Sequence, residues 1–80
     1  MKSVKYFYNF YGKNSFTGTV KDKNGDIVYY LNGKFHREDG PAIEYSYGFK
    51  SWYLNGTRYG VNDDFTNEFW IRFVKLGLLK

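Results

Sequence analysis

Asn24-Gly25-Asp26-Ile27-Val28-Tyr29-Tyr30-Leu31-Asn32-Gly33 recurs 23 residues later, in relaxed form, as Tyr47-Gly48-Phe49-Lys50-Ser51-Trp52-Tyr53-Leu54-Asn55-Gly56. Glycine, tyrosine, leucine, asparagine and glycine match in order, and upstream Thr19-Val20 lies over Ala42-Ile43. A fixed period marks a supersecondary unit used more than once. Each unit reads as a strand, a glycine-centred turn, a strand and an Asn-Gly turn. Asn24-Gly25, Asn32-Gly33 and Asn55-Gly56 join the two residue types that best tolerate positive φ, which tight hairpin turns require. Between the turns Ile27, Tyr29 and Leu31 alternate with Val28 and Tyr30, and Trp52 and Leu54 alternate with Ser51 and Tyr53. Alternate residues of a strand face opposite sides of the sheet. Tyr29, Leu31, Trp52 and Leu54 are therefore expected to form the buried face. Tyr30 and Tyr53 form a second aromatic row, partly exposed or under the C-terminal segment.

Upstream, Val4, Tyr6, Tyr8 and Phe10 alternate with Lys5, Phe7, Asn9 and Tyr11, and Gly12-Lys13-Asn14 reads as a turn into residues 16–21. Of these aromatics, Tyr8 and Phe10 are the first expected to be buried. From Asp63 the period changes: Phe65, Phe69, Phe73 and Leu76 follow helical spacing, Trp70 and Val74 widen the stripe, and Asn67, Glu68, Arg72 and Lys75 fall opposite. Asn62 or Asp63 is the expected N-cap, and Gly77 the stop. Ile71 stands on the polar side as an exposed apolar side chain. The expected fold is mainly β (α+β): an antiparallel meander of about five or six short strands built from hairpin repeats, packed by one C-terminal amphipathic helix. Residues 1–80 form one domain, divided into a basic N-terminal hairpin (1–23), the hairpin repeats (24–60) and the helix (62–77).

Composition agrees with a small aromatic core. The chain has 80 residues, with nine Tyr, eight Phe and two Trp, and no cysteine. Val, Leu, Ile and Met together number 14, and Ala42 is the single alanine. Aromatic rings must therefore do the packing that aliphatic side chains do elsewhere. Without cysteine there is no disulfide framework, thiol chemistry or cysteine-based zinc site. The sequence holds no signal-peptide h-region and no apolar run approaching the roughly 18 residues that span a bilayer. A cytoplasmic protein without membrane association is expected.

Chemistry-bearing motifs are sparse. His36, Glu38 and Asp39 combine an imidazole with two carboxylates, but no nucleophile accompanies them and one histidine does not make a usual zinc set. A loop network of hydrogen bonds and ion pairs is expected instead, with Arg37 able to hold a carboxylate. Asp22-Lys23-Asn24-Gly25-Asp26 begins like a calcium loop, yet Ile27 and Gly33 stand where that loop needs glycine and glutamate. Asn55-Gly56-Thr57 fits the glycosylation pattern without a secretory route. No phosphate-binding glycine loop is present. No catalytic residue, cofactor or metal is assigned.

His36-Arg37-Glu38-Asp39-Gly40-Pro41-Ala42-Ile43-Glu44-Tyr45, then Gly48, then Trp52-Tyr53-Leu54-Asn55-Gly56 resembles the HREDGPAIEY…G…WYLNG repeat of small proteins encoded mainly by bacteriophages and large DNA viruses, a variant of MORN-like hairpin repeats. The likeness covers roughly residues 24–60 and departs at Thr57-Arg58-Tyr59-Gly60. It implies a β-hairpin array of viral, in the first instance phage, origin, and it implies no reaction.

The formal net charge of +4 is uneven. Residues 1–25 carry Lys2, Lys5, Lys13, Lys21 and Lys23 against Asp22 alone, and the remainder balances. Basic side chains among tyrosines suit either a protein interface or a phosphate backbone with stacked bases. The candidate binding residues are Lys5, Tyr6, Tyr11, Lys13, Lys21, Lys23, Tyr30, Arg37 and Arg58. The leading expectation is a non-catalytic phage accessory protein that binds and inhibits a host protein, such as a defence nuclease or toxin. An RNA or single-stranded DNA binder using the N-terminal hairpin is the alternative, and a structural or assembly protein the third. A homo-oligomer is compatible with each.

Overall fold

The computed structural model describes residues 16–77, and the expectations placed on residues 1–15 lie outside them. Six strands run in order: β1 (Gly18–Lys21), β2 (Ile27–Leu31), β3 (Lys34–Phe35), β4 (Ile43–Glu44), β5 (Lys50–Leu54) and β6 (Thr57–Val61). A 3-10 turn, Asn62–Asp64, leads to the helix α1 (Asn67–Lys75). All pairings are antiparallel, in the order β1-β2-β4-β5-β6, with β3 on the end of β2 beyond β4. The fold is thus mainly β, an antiparallel meander-like sheet with one C-terminal helix.

The repeat is legible in the backbone. Asn32-Gly33 turns with φ of 51° and 81°, and Asn55-Gly56 with 49° and 84°, the paired positive values of a two-residue hairpin. Asn24-Gly25 departs from the expectation: only Gly25 has positive φ, at 92°. Here the Gly25 N–H donates to the Asp22 carbonyl and the Asp22 N–H to the Asp26 carbonyl, each at 3.0 Å, the pattern of a longer hairpin loop. Asp22 Oδ1 reinforces it by accepting from the Asn24 and Asp26 N–H groups. One unit later the Gly48 N–H reaches the Tyr45 carbonyl and the Tyr45 N–H the Phe49 carbonyl, each at 2.9 Å.

Register sorts the side chains. Val20, Val28, Ile43, Ser51 and Val61 lie opposite one another across five strands and so share one face. A row of touching rings, Phe16, Tyr30, Phe35 and Tyr53, runs over that face. The other face carries Tyr29, Leu31, Trp52 and Leu54, the set expected to be buried. Trp52 and Leu54 are buried, whereas Tyr29 and Leu31 are only half-buried. The reason is that α1 covers the β5–β6 end of this face alone, where Trp52, Leu54 and Trp70 form the core.

The helix differs from expectation in two respects. Its N-cap is Thr66, whose Oγ1 accepts from the Phe69 N–H; Asn62 instead accepts from the Lys50 N–H, and Asp64 from Val61. Trp70, not Phe69, is the residue driven inward, with no exposed surface, while Phe69 is 50% exposed. Phe65, Phe73 and Val74 flank Trp70 against the core. Trp52 sits 5.5 Å from Trp70, and Phe65 meets Trp70 edge-on at 4.6 Å between centroids. Such aromatic pairs contribute about 0.5–1.5 kcal/mol each beyond the area they bury. Gly77, with φ of 72°, closes the helix as expected. Ile71 is exposed.

A candidate partner-binding surface

The His36–Pro41 loop caps the other end of the helix-bearing face. The Arg37 guanidinium lies 4.0 Å over the Tyr29 ring. Its Nε donates to Asp39 at 2.8 Å, and its Nη1 to Glu44 at 3.0 Å and to the Pro41 carbonyl at 3.2 Å. Burial alone would lower the Arg37 pKa, but the hydrogen bond to Asp39, the Tyr29 ring and the Glu44 carboxylate together raise it. Asp39 is held below the ordinary carboxylate range, chiefly by its hydrogen bond from Arg37. A Cβ at Gly40 would stand 2.8 Å from Arg37 Cζ, so a larger residue there would displace the guanidinium from this packing.

His36 is equally committed. Its Nδ1 accepts from the Asn55 N–H at 2.9 Å, so the ring proton is on Nε2, which donates to Glu38 at 3.2 Å. The imidazole therefore ties the loop to the β5–β6 turn. His36, Glu38 and Asp39 thus each make a side-chain hydrogen bond within the loop or to the neighbouring turn. Among the described residues, no group of three metal-ligating side chains comes together. No helix among them is long and apolar enough to cross a membrane.

Of the nine candidate binding residues, the five among the described residues do not converge. Lys5, Tyr6, Tyr11 and Lys13 lie outside the described residues. Tyr30 is a correction: it is 8% exposed, its ring set between Phe16 and Phe35, so it presents no stacking surface. Arg37 is held by Asp39, Glu44 and the Tyr29 ring. Lys21 and Lys23 are exposed at the β1–β2 turn, and Arg58 is exposed on β6. As β1 and β6 are opposite edges of the sheet, four strand spacings put them about 19 Å apart. Lys2, Lys5, Lys13 and Lys80 account for the whole net charge of +4; removing them from 12 basic and 8 acidic residues leaves 8 against 8 in residues 16–77.

A different surface stands out. At the β4–β5 turn, Tyr45 and Tyr47 stack with centroids 5.4 Å apart and planes 11° from parallel. Phe49 closes the cluster, 5.7 Å from Tyr45 and 6.4 Å from Tyr47. Tyr47 is 75% exposed, the most exposed large hydrophobic side chain among the described residues. Burial, then the neighbouring Tyr47, Tyr53 and Asp26, push the Tyr45 hydroxyl pKa up, against the opposing effect of Arg58. The Ser46 N–H donates to Asp26 Oδ1 at 2.8 Å, which sets this turn beside the Asp22–Asp26 turn of the preceding unit. The two turns have the same hydrogen bonds, yet one is Asp22-Lys23-Asn24-Gly25-Asp26 and the other Tyr45-Ser46-Tyr47-Gly48-Phe49.

Matching them position by position was the available sequence signal, because three polar positions become aromatic across the 23-residue repeat. Reading for basic residues passed over it. Set against protein-family models, curated proteins and solved structures, the chain matches none.

Proposed function

We propose that this chain is a non-catalytic binding module that seats a protein partner on the aromatic turn Tyr45–Phe49. The observation that carries this reading is the polar twin of that turn. Asp22–Asp26 makes the same backbone hydrogen bonds with Asp22 Oδ1 as its side-chain support, so this turn geometry is reached without three rings such as Tyr45, Tyr47 and Phe49. Tyr47 stands exposed on the half-buried Tyr45, and exposed tyrosines of this kind anchor protein interfaces. No excess of Lys and Arg accompanies the aromatic turn within residues 16–77, whereas binding of a phosphate backbone draws on such an excess. The resemblance to phage and viral hairpin-repeat proteins extends the proposal to a host protein that the module binds and inhibits.

Affinity capture from nuclease-treated host lysate tests it, with the wild-type chain beside Tyr47→Asn, which copies Asn24 of the preceding unit. The expected outcome is a stoichiometric protein recovered by the wild type and lost by the variant, with both chains equally folded. Equal recovery by the two overturns the aromatic turn as the seat. A salt-dependent shift of labelled RNA or DNA, with no protein recovered, replaces the reading by the nucleic-acid one.

A further inference from the structure

The helix carries a second unpartnered surface on the side away from the aromatic turn's face. Turning Trp70 to the core leaves Phe69 at 50% and Leu76 at 66% exposure, on one stripe of α1. Phe65 stacks on Phe69 at 5.5 Å with planes 26° apart, which extends the stripe as a nearly flat apolar strip. The charges along its outer flank are ordered. Glu68 is in the first turn, and Arg72 and Lys75 are in the last.

We propose that α1 pairs antiparallel with α1 of a second copy of this chain across Phe69 and Leu76, as a twofold-symmetric dimer. A twofold axis makes every contact occur twice, so residue i meets j and j meets i. Antiparallel pairing lays the acidic first turn of each helix against the basic last turn of the other. A parallel twofold would carry the two charged flanks to opposite sides of the contact, away from each other, and the helix dipoles would oppose it as well. Charge order thus selects the second copy and its direction, and the apolar strip supplies the contact. Two partly exposed side chains per copy, Phe69 and Leu76, make a small contact, so the dimer is a weak, reversible one. The dimer uses a different face from the partner-binding turn, so either proposal stands if the other fails.

Sedimentation equilibrium of the full chain, up to about 100 µM, reads the result directly. The wild type is expected to dimerise, and Leu76→Ser and Phe69→Ser to weaken the dimer at least about tenfold each. Leu76→Ser removes a mostly exposed side chain, which keeps the test valid if Phe69→Ser disturbs the Phe65 and Phe73 contacts. Glu68→Lys is expected to weaken the dimer, and its combination with Arg72→Glu and Lys75→Glu to restore it; helix content by circular dichroism is followed throughout. A wild-type chain that stays monomeric overturns the proposal. So does a dimer that Leu76→Ser leaves intact, or one that the combined charge reversal fails to restore.

Discussion

The indole N–H of Trp70 donates to the carbonyl of Arg37 at 2.8 Å, across 33 residues of sequence. This bond joins the two structures that cover one face of the sheet, the helix at the β5–β6 end and the HREDGP loop at the Tyr29 end. Arg37 takes part at both ends of its own residue: its N–H reaches the Tyr53 carbonyl at 3.2 Å, and its guanidinium binds Asp39 and Glu44. Trp52 makes a comparable bond, from its indole to the Asn62 carbonyl at 3.0 Å. Both tryptophans are therefore buried with their polar atoms satisfied.

Trp70→Phe keeps an aromatic ring in the core but leaves the Arg37 carbonyl without its donor. The expected loss is about 1–3 kcal/mol from the unpaired acceptor. Trp70→Ala and Trp52→Ala add a cavity and are expected to cost about 3–5 kcal/mol each. Urea denaturation followed by tyrosine fluorescence or circular dichroism measures all three. Equal stability of Trp70→Phe and wild type would show that the indole bond holds nothing together.

Asp39 sets a pH dependence whose sign follows from its lowered pKa. Because the folded carboxyl holds its proton more weakly than the unfolded one, its contribution is fully present above the ordinary aspartate range near 3.9. It is lost as pH falls through the lowered folded value. The carboxylate is largely exposed, so the effect is small and screened by salt. Carbon-detected NMR titration should place the Asp39 midpoint below that of an ordinary aspartate. In Arg37→Gln it should move back up, and an unmoved midpoint would remove Arg37 as the cause.

The three Asn-Gly steps should respond unequally to alanine. Asn32 and Asn55 have positive φ, and alanine there meets the left-handed penalty of about 1–2 kcal/mol. Asn24 lacks that conformation, so Asn24→Ala should fall within about 0.5 kcal/mol of wild type. Thermal melts of the three variants decide the matter. A destabilised Asn24→Ala equal to Asn55→Ala would contradict the different turn geometries.

Much of the fold is local and was therefore readable from residues alone. The 23-residue repeat, the alternation in β2 and β5, the helical period from Phe65 and the stop at Gly77 each depend on neighbours within a few positions. Faces followed as well, because alternation along a strand is a property of the backbone. Depth was not local. Tyr29 and Trp52 occupy equivalent repeat positions, yet only Trp52 is covered by the helix, and only the three-dimensional packing decides where a nine-residue helix comes to rest.

The same distinction holds for the binding surfaces. By itself the sequence determined a hairpin-repeat sheet with an amphipathic helix and an aromatic core. Tertiary structure decided the rest. It put Lys21 and Lys23 at one edge of the sheet and Arg58 on the other, sank Tyr30, and set the Arg37 guanidinium over Tyr29 with partners two and seven positions away in sequence. It rotated the helix so that Trp70, whose indole needs an acceptor at Arg37, went inward and Phe69 stayed out. The physical reason is that the helix has one core-facing side, where the larger indole buries more apolar area, and the Arg37 carbonyl satisfies the N–H that burial takes from water.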